Sequence, residues 1–354
     1  MFKTKIAAAK IVCKTLIAAA VLLFSGCERQ MSPQSEFVLG TVCSINLYEA
    51  GSAELYGTLF ARLRQLNDTF NNYSDSSEIT RVNQNAAVAP VEISQDFFIV
   101  LKTALDFARL TGGAFDPTVG PLVKLWGFGK EPRVPSQEEI EAAQKLVGWQ
   151  CVILEGFTDQ NVAAGPTVRF TKSGVRLDLG AIAKGYAADC LVDILRERGV
   201  KRASLSLGGN VYVYGKKPGG ALWSVAIRDP SKPGQNAFML KTRDATVVTS
   251  GAYERFFEQD GKTYGHILDP ATGFPAKSGL ESVTIVSHNS MVADALSTSL
   301  FVLGMEKIPE IKKSALAGGF ECVLVDASGK AYASKGLKGA LSALNGQEIA
   351  FCDF

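Results

Sequence analysis

Four stretches of the chain carry residue types whose spacing could do chemistry. In Asp294-Ala295-Leu296-Ser297-Thr298 the acid and the threonine are four residues apart, so on a helix they share one face with Ser297 beside them. A carboxylate, hydroxyls and a nearby carbonyl are hard oxygen ligands, a partial shell of the magnesium type that leaves room for water and substrate phosphates. The same acid in an apolar helix also reads as a buried, hydrogen-bonded residue. Asp178-Leu179-Gly180-Ala181-Ile182-Ala183-Lys184-Gly185 delivers an acid, a glycine turn, a helix start and a cation one turn in. Exposed N–H groups at a helix start together with Lys184 suit a diphosphate, although the stretch is neither a Walker A loop nor a G-x-G-x-x-G fingerprint. Its plainer reading has Asp178 capping the helix and Lys184 in solvent. His266, one of two histidines, stands at a predicted strand end in Gly265-His266-Ile267-Leu268-Asp269-Pro270. There it could act as a general base near neutral pH or simply bond the backbone. The fourth stretch, Gly113-Ala114-Phe115-Asp116-Pro117-Thr118-Val119-Gly120, could line a planar ligand. Gly208-Gly209-Asn210 and Thr249-Ser250-Gly251 mark places of close backbone approach, and Tyr73 could stack on a ring.

The elements that must position these residues follow from periodicity. A strand is predicted over 36–48, and helices over 53–70, 95–111 and 181–198, the second stopping at Gly112-Gly113. Residues 113–132 read as a long loop. A short helix starts at Ser136 with Glu139 as capping-box partner. Strands are expected at 175–179, 202–214 with an interruption at Gly208-Gly209, 280–287 and 321–325. A meander over 223–268 turns near Asp260-Gly261. The 291–303 helix is apolar on most sides and therefore buried; a further helix is expected over 306–316. Strands and helices mix without a clean βαβ rhythm. The expected class is α+β, one compact catalytic domain with a mixed, mainly antiparallel sheet flanked by helices.

Composition limits the alternatives. With 354 residues, 47% of them hydrophobic and 20% charged, the chain can bury a substantial core. The formal charge is +2, but Lys3, Lys5, Lys10 and Lys14 fall in the first 26 residues without an acid, so the remainder carries −2. That body has no electrostatic footprint for nucleic acid. The four lysines precede an apolar run over 16–24 that is too short to span a bilayer but suits a secretory signal. It ends in Phe24-Ser25-Gly26-Cys27, which resembles the bacterial lipobox with Phe where Leu is usual. Residues 1–26 therefore read as a lipoprotein signal, Cys27 as the lipidated residue, and 27–36 as a polar tether; an ordinary cleaved signal is the alternative. Cys43, Cys151, Cys190, Cys322 and Cys352 are widely spaced without a C-x-x-C pair, which yields neither a zinc site nor a disulfide framework.

Taken together, Leu39-Gly40-Thr41, Tyr73 in its polar loop, 113–122, 178–185, Gly208-Gly209-Asn210, 223–230, Thr249-Ser250-Gly251, 266–273 and 293–298 resemble the ApbE family, the FAD:protein FMN transferases. The resemblance runs from about residue 37 to about 325, and a catalytic domain over 37–345 is expected. It implies an enzyme that binds FAD as substrate with Mg2+ and moves FMN to a Thr or Ser hydroxyl of an acceptor protein, releasing AMP. It implies flavin contacts from Leu39, Tyr73, Ala114, Phe115, Asp116, Asp178, Lys184 and Ile267. Magnesium would be held by Asp294 and Thr298, with main-chain oxygens of Ala181 and Ser297, and His266 would deprotonate the acceptor hydroxyl. Leu39 departs from the family's common Met. Implied partners are acceptor flavoprotein subunits of membrane redox complexes, and the implied location is the periplasmic face of the inner membrane, reached by export and held through the lipid. Two other readings share these motifs: a magnesium-dependent FAD pyrophosphatase with water as nucleophile, and a non-catalytic FAD-binding lipoprotein.

Overall fold

A computed structural model describes residues 32–48, 51–128, 130–156 and 165–354. The expectations for the signal segment and Cys27 lie outside the described residues. Nine strands form the main sheet: Gln34–Val38, Thr41–Leu47, Ala203–Leu207, Asn210–Tyr214, Ala245–Gly251, Leu280–Ser287, Glu321–Asp326, Ala331–Ser334 and Ile349–Cys352. Their spatial order is their chain order, and every neighbouring pair is antiparallel except the last. Because successive side chains on a strand face opposite ways, the sheet has two apolar faces. Cys322 and Leu324 join a core with the helices, while Val323 and Val325 of the same strand join a second core. The first core packs the sheet against helices Ala53–Phe70, Gln95–Leu110, Ala183–Glu197 and Ser290–Leu303. The second is covered by a three-stranded sheet of Trp223–Arg228, Asn236–Thr242 and Leu341–Ala343. The expected α+β class, mainly antiparallel, is what the chain adopts.

Local signals explain most boundaries. Ser52, Ser94 and Ser136 cap their helices by accepting N–H bonds, and Ser136 with Glu139 completes the predicted capping box. The hairpin turn at Asp260-Gly261 joins Phe256–Gln259 to Lys262–Gly265 as expected.

Other boundaries differ from the sequence reading. The single strand expected over 36–48 is a hairpin, with Val38 paired to Thr41 around Leu39-Gly40. Both turn residues have positive φ, 56° and 68°, as a two-residue hairpin requires. Leucine gives no turn signal, so the bend was invisible. The loop expected over 113–132 contains the helix Gly120–Trp126, started by Pro121 at its first turn and closed by the left-handed Gly127. Residues 175–179 join no sheet; Arg176 makes a single parallel bridge to Val119. The helix expected over 306–316 is reduced to Ile308–Lys312 between two short 3-10 turns. The sheet also exceeds the domain limits drawn from sequence: its first strand starts at Gln34, inside the stretch read as tether, and its last lies beyond 345, where Ile349–Cys352 pairs with Ala331–Ser334.

Candidate active site

The site is organised by the crossing of two helices. Ala183–Glu197 and Ser290–Leu303 approach so closely that a Cβ on Gly185 would stand 2.2 Å from the Ser290 carbonyl oxygen. The absent side chain lets the Gly185 N–H donate to Asp294 Oδ2 at 2.9 Å. The bond is reciprocated, since Asp189 of the first helix accepts the Ser290 and Met291 N–H groups of the second, each at 2.8 Å. Asp294 is thereby fixed at 4% exposure in the middle of an apolar helix. Gly185→Ala should therefore cost about 1–3 kcal/mol by overpacking and lower activity with it. Denaturant unfolding checks this, and an unchanged midpoint would contradict so close a crossing.

Next to Asp294 on the same helix, Ser297 and Thr298 bring hydroxyl groups together with a strand residue. Ser297 Oγ donates to the Asp294 carbonyl at 2.9 Å. Ser250, from the central strand Ala245–Gly251, lies 2.8 Å from Ser297 Oγ and 3.4 Å from Thr298 Oγ1. Sequence reasoning took the 249–251 stretch only as a close backbone approach and missed this hydroxyl. Lys184 Nζ donates to the Gly180 carbonyl at 2.9 Å and stands 3.6 Å from Asp294 Oδ2. Among the described residues no group of three or more His, Cys, Asp or Glu is placed to hold a metal. A cation here would rest on one carboxylate plus hydroxyls and carbonyls. That donor chemistry fits Mg2+, which takes few protein ligands and keeps water or phosphate oxygens.

The 178–185 stretch turns as expected without using Asp178 as the helix cap. Asp178 Oδ1 accepts the Gly180 N–H at 2.9 Å, and its own N–H donates to the Pro117 carbonyl at 2.8 Å, tying it to the 113–118 stretch. Burial raises its pKa, against the pull of the Gly180 N–H and Lys184. Within the 113–118 stretch the Phe115 and Asp116 side chains are buried. Phe115 is 5% exposed and packs on Phe107, and Asp116 accepts from Thr118 with one oxygen and from the Trp149 N–H with the other. Ile267 is likewise in the core.

Leu39 holds its left-handed conformation with its N–H donated to Asn67 Oδ1 at 3.2 Å. A positive φ on a non-glycine residue is costly and tends to persist where function requires it. Tyr73 is 60% exposed, with Lys130 5.2 Å from its ring centroid. Burial of its hydroxyl end and the charge of Asp178 raise its pKa.

His266 sits at the end of the Lys262–Gly265 strand. Its N–H donates to the Arg255 carbonyl at 3.0 Å, and Nδ1 lies 3.1 Å from the same oxygen. A carbonyl only accepts, so Nδ1 carries the proton and Nε2 presents a lone pair. Burial, then the positive charge of Arg255, moves the imidazole pKa down to about 4, with Lys184 adding to it. The ring is neutral at pH 7, as a base must be. Activity should hold from neutral pH down to about 5 and fall as pH approaches about 4, where Nε2 takes up a proton. A pH profile of kcat/KM checks this; an acid limb near the usual histidine value would contradict it. Glu254, not anticipated, is exposed on the turn after the Ala245–Gly251 strand, near Gly209. Crowding by protein atoms pushes its carboxyl up to about 7, with Asp294 adding to the rise and Lys184 opposing it. The other histidine, His288, is exposed and bonds the Asp244 carbonyl.

The charge of Lys184 thus acts on Asp178, Asp294, Glu254 and His266 alike. A carboxylate paired with a lysine, hydroxyls nearby, and a histidine with a free lone pair are groups suited to moving a phosphorus-bearing group to a hydroxyl. Comparison with known proteins narrows this class. The ApbE family profile matches residues 39–324, and the chain belongs to the ApbE family. The FAD:protein FMN transferase of Treponema pallidum is 40% identical over 288 residues, 77% of this chain and 79% of that protein. The one from Vibrio cholerae is 34% identical over 92% of this chain and 97% of its own. Among solved structures, the ApbE protein of Thermotoga maritima superposes with a TM-score of 0.77 at 34% identity, covering 87% of this chain and 98% of that one. The flavin transferase ApbE of Vibrio cholerae gives 0.76 at 32% identity, covering 87% and 98%.

Proposed function

We propose that this enzyme is an FAD:protein FMN transferase that uses Mg2+ and modifies a Thr or Ser hydroxyl of an acceptor protein. The bond formed joins the FMN phosphorus to the acceptor oxygen. The bond broken is the bridging P–O bond of FAD, and AMP leaves with that oxygen. The hydroxyl proton passes to His266 Nε2. The observation that carries this reading is the neutral, carbonyl-oriented His266 beside the Lys184–Asp294 pair. The identity to transferases over most of the chain supports it.

The residues supply the rest of the chemistry. Lys184, one residue into the Ala183–Glu197 helix, supplies the positive charge that attracts the diphosphate. Asp294 and Thr298, with carbonyls of Ala181 and Ser297, would hold Mg2+. When bound, that ion neutralises charge on the phosphoryl oxygens. Tyr73 and the strained Leu39 would flank the isoalloxazine, and Ala114 would approach it from the 113–118 stretch. Fixing Nε2 with its lone pair outward removes the need to reorganise the base during attack.

Cys27 would carry lipid and hold the enzyme at the periplasmic face of the inner membrane, near acceptor subunits of membrane redox complexes. Removing residues 1–26 and replacing Cys27 by Ser should give a soluble enzyme of undiminished activity. A misfolded product would mean that residues 1–27 contribute to the fold. That soluble form, FAD, Mg2+ and an acceptor domain with an exposed threonine test the reaction directly. Covalent flavin fluorescence on the acceptor in a denaturing gel, with AMP released, is expected. AMP and free FMN without labelling would instead make the enzyme an FAD pyrophosphatase.

A further inference from the structure

We propose that Trp126 is a positioning residue for the transfer, holding the histidine segment in register with the flavin-binding segment. The proposal rests on His266 being the base. Trp126 is fully buried at the end of the Gly120–Trp126 helix, which begins two residues after Thr118 of the candidate flavin stretch. The two are rigidly joined, since the Val119 N–H donates to the Asp116 carbonyl and Arg176 bridges to Val119.

On its far side the indole grips the chain both before and after His266. Before it, Tyr264 lies 5.6 Å from the Trp126 ring and Phe257, on the partner strand, 6.3 Å. After it, Trp126 Nε1 donates to the Gly273 carbonyl at 2.8 Å, and the Phe274 ring stands edge-on at 5.8 Å. Gly273 and Phe274 form the tip of a small hairpin that returns to the histidine. The Asp269 N–H donates to the Phe274 carbonyl, and the Ala276 N–H donates to the Ile267 carbonyl, at 2.8 and 2.9 Å. A shift of the tip therefore moves the residue next to His266.

These rings form a satellite core separate from both main cores, built from Leu122, Trp126, Ile140, Ala143 and Leu268 with the aromatics around them. Its residues lie in the 113–147 region and in the strands and loop that carry His266. A core placed between two halves of a site sets their distance, and misplacement by about 1 Å can cost about 100-fold in rate.

Trp126→Phe keeps an aromatic ring, but it removes the Nε1–H donor and makes the buried side chain smaller. It is expected to lower kcat about 10-fold or more while leaving the KM for FAD within about 2-fold, a split that general destabilisation would not give. In a His266→Ala background the same change should cost less than about 2-fold, because there is no base left to position. A kcat for Trp126→Phe within about 2-fold of the parent overturns the proposal, as does an equal loss in the His266→Ala background. Near-parental activity of His266→Ala alone is a different result, and overturns the reading of the base itself. If Trp126→Phe does not fold, Phe257→Leu on the hairpin is read by the same two criteria.

Discussion

Replacing Asp294 by Asn is expected to reduce Mg2+-dependent AMP release by about 1,000-fold, the several kcal/mol that charge neutralisation at a transferring phosphoryl group supplies. Asn is the informative substitution because of what the carboxylate does locally. Asp294 Oδ2 accepts the Gly185 N–H across the helix crossing, in a site 4% exposed. Alanine would leave that N–H without a partner, at a cost of about 1–3 kcal/mol, and would confound lost chemistry with lost stability. An amide oxygen keeps the bond and removes the charge. FAD turnover titrated with Mg2+, beside a thermal melt, separates the two. Asp294→Asn with normal Mg2+-dependent turnover would remove this residue from the metal site. Asp294→Ala should show the same catalytic loss with a lower melting temperature.

The second large effect belongs to His266. His266→Ala should lower the transfer rate by about 100- to 10,000-fold, the range for loss of a general base, and leave FAD affinity within about 2-fold. The separation is expected because, among the described residues, the ring bonds protein only from Nδ1 to the Arg255 carbonyl, and the backbone N–H that also donates to that carbonyl survives the mutation. Flavin binding followed by fluorescence quenching, together with single-turnover labelling of the acceptor, gives the two quantities independently. If affinity falls in step with rate, His266 shapes the binding site and the base must be sought elsewhere. Glu254, whose carboxyl is pushed up to about 7 and which feels the same Lys184 charge, would then be the first residue to replace.

Much of this protein is set by short-range pattern. The helical spacing of Asp294, Ser297 and Thr298, the Ser136–Glu139 capping box and the Asp260-Gly261 turn are local, so the sequence carried them unaided. The short alternating runs over 223–268 and the lack of a βαβ rhythm are local as well, and they led to a mainly antiparallel α+β fold. The order of motifs did the same for the family.

Tertiary structure decided what depends on distant partners. Leu39 bends backward only because a paired strand returns through Thr41 and Asn67 receives its N–H. Ile349–Cys352 is a strand only because Ala331–Ser334 offers an edge. Phe115 and Asp116 face inward because Phe107 and the Trp149 N–H lie there. Ser250 and Glu254 join the site through the central sheet, and Gly185 is required by a carbonyl 105 residues further along the chain. Spacing along the chain specifies which face a side chain occupies. Which groups share that face, and therefore what charge, proton and space each one has, is fixed only when the helices cross and the sheet closes.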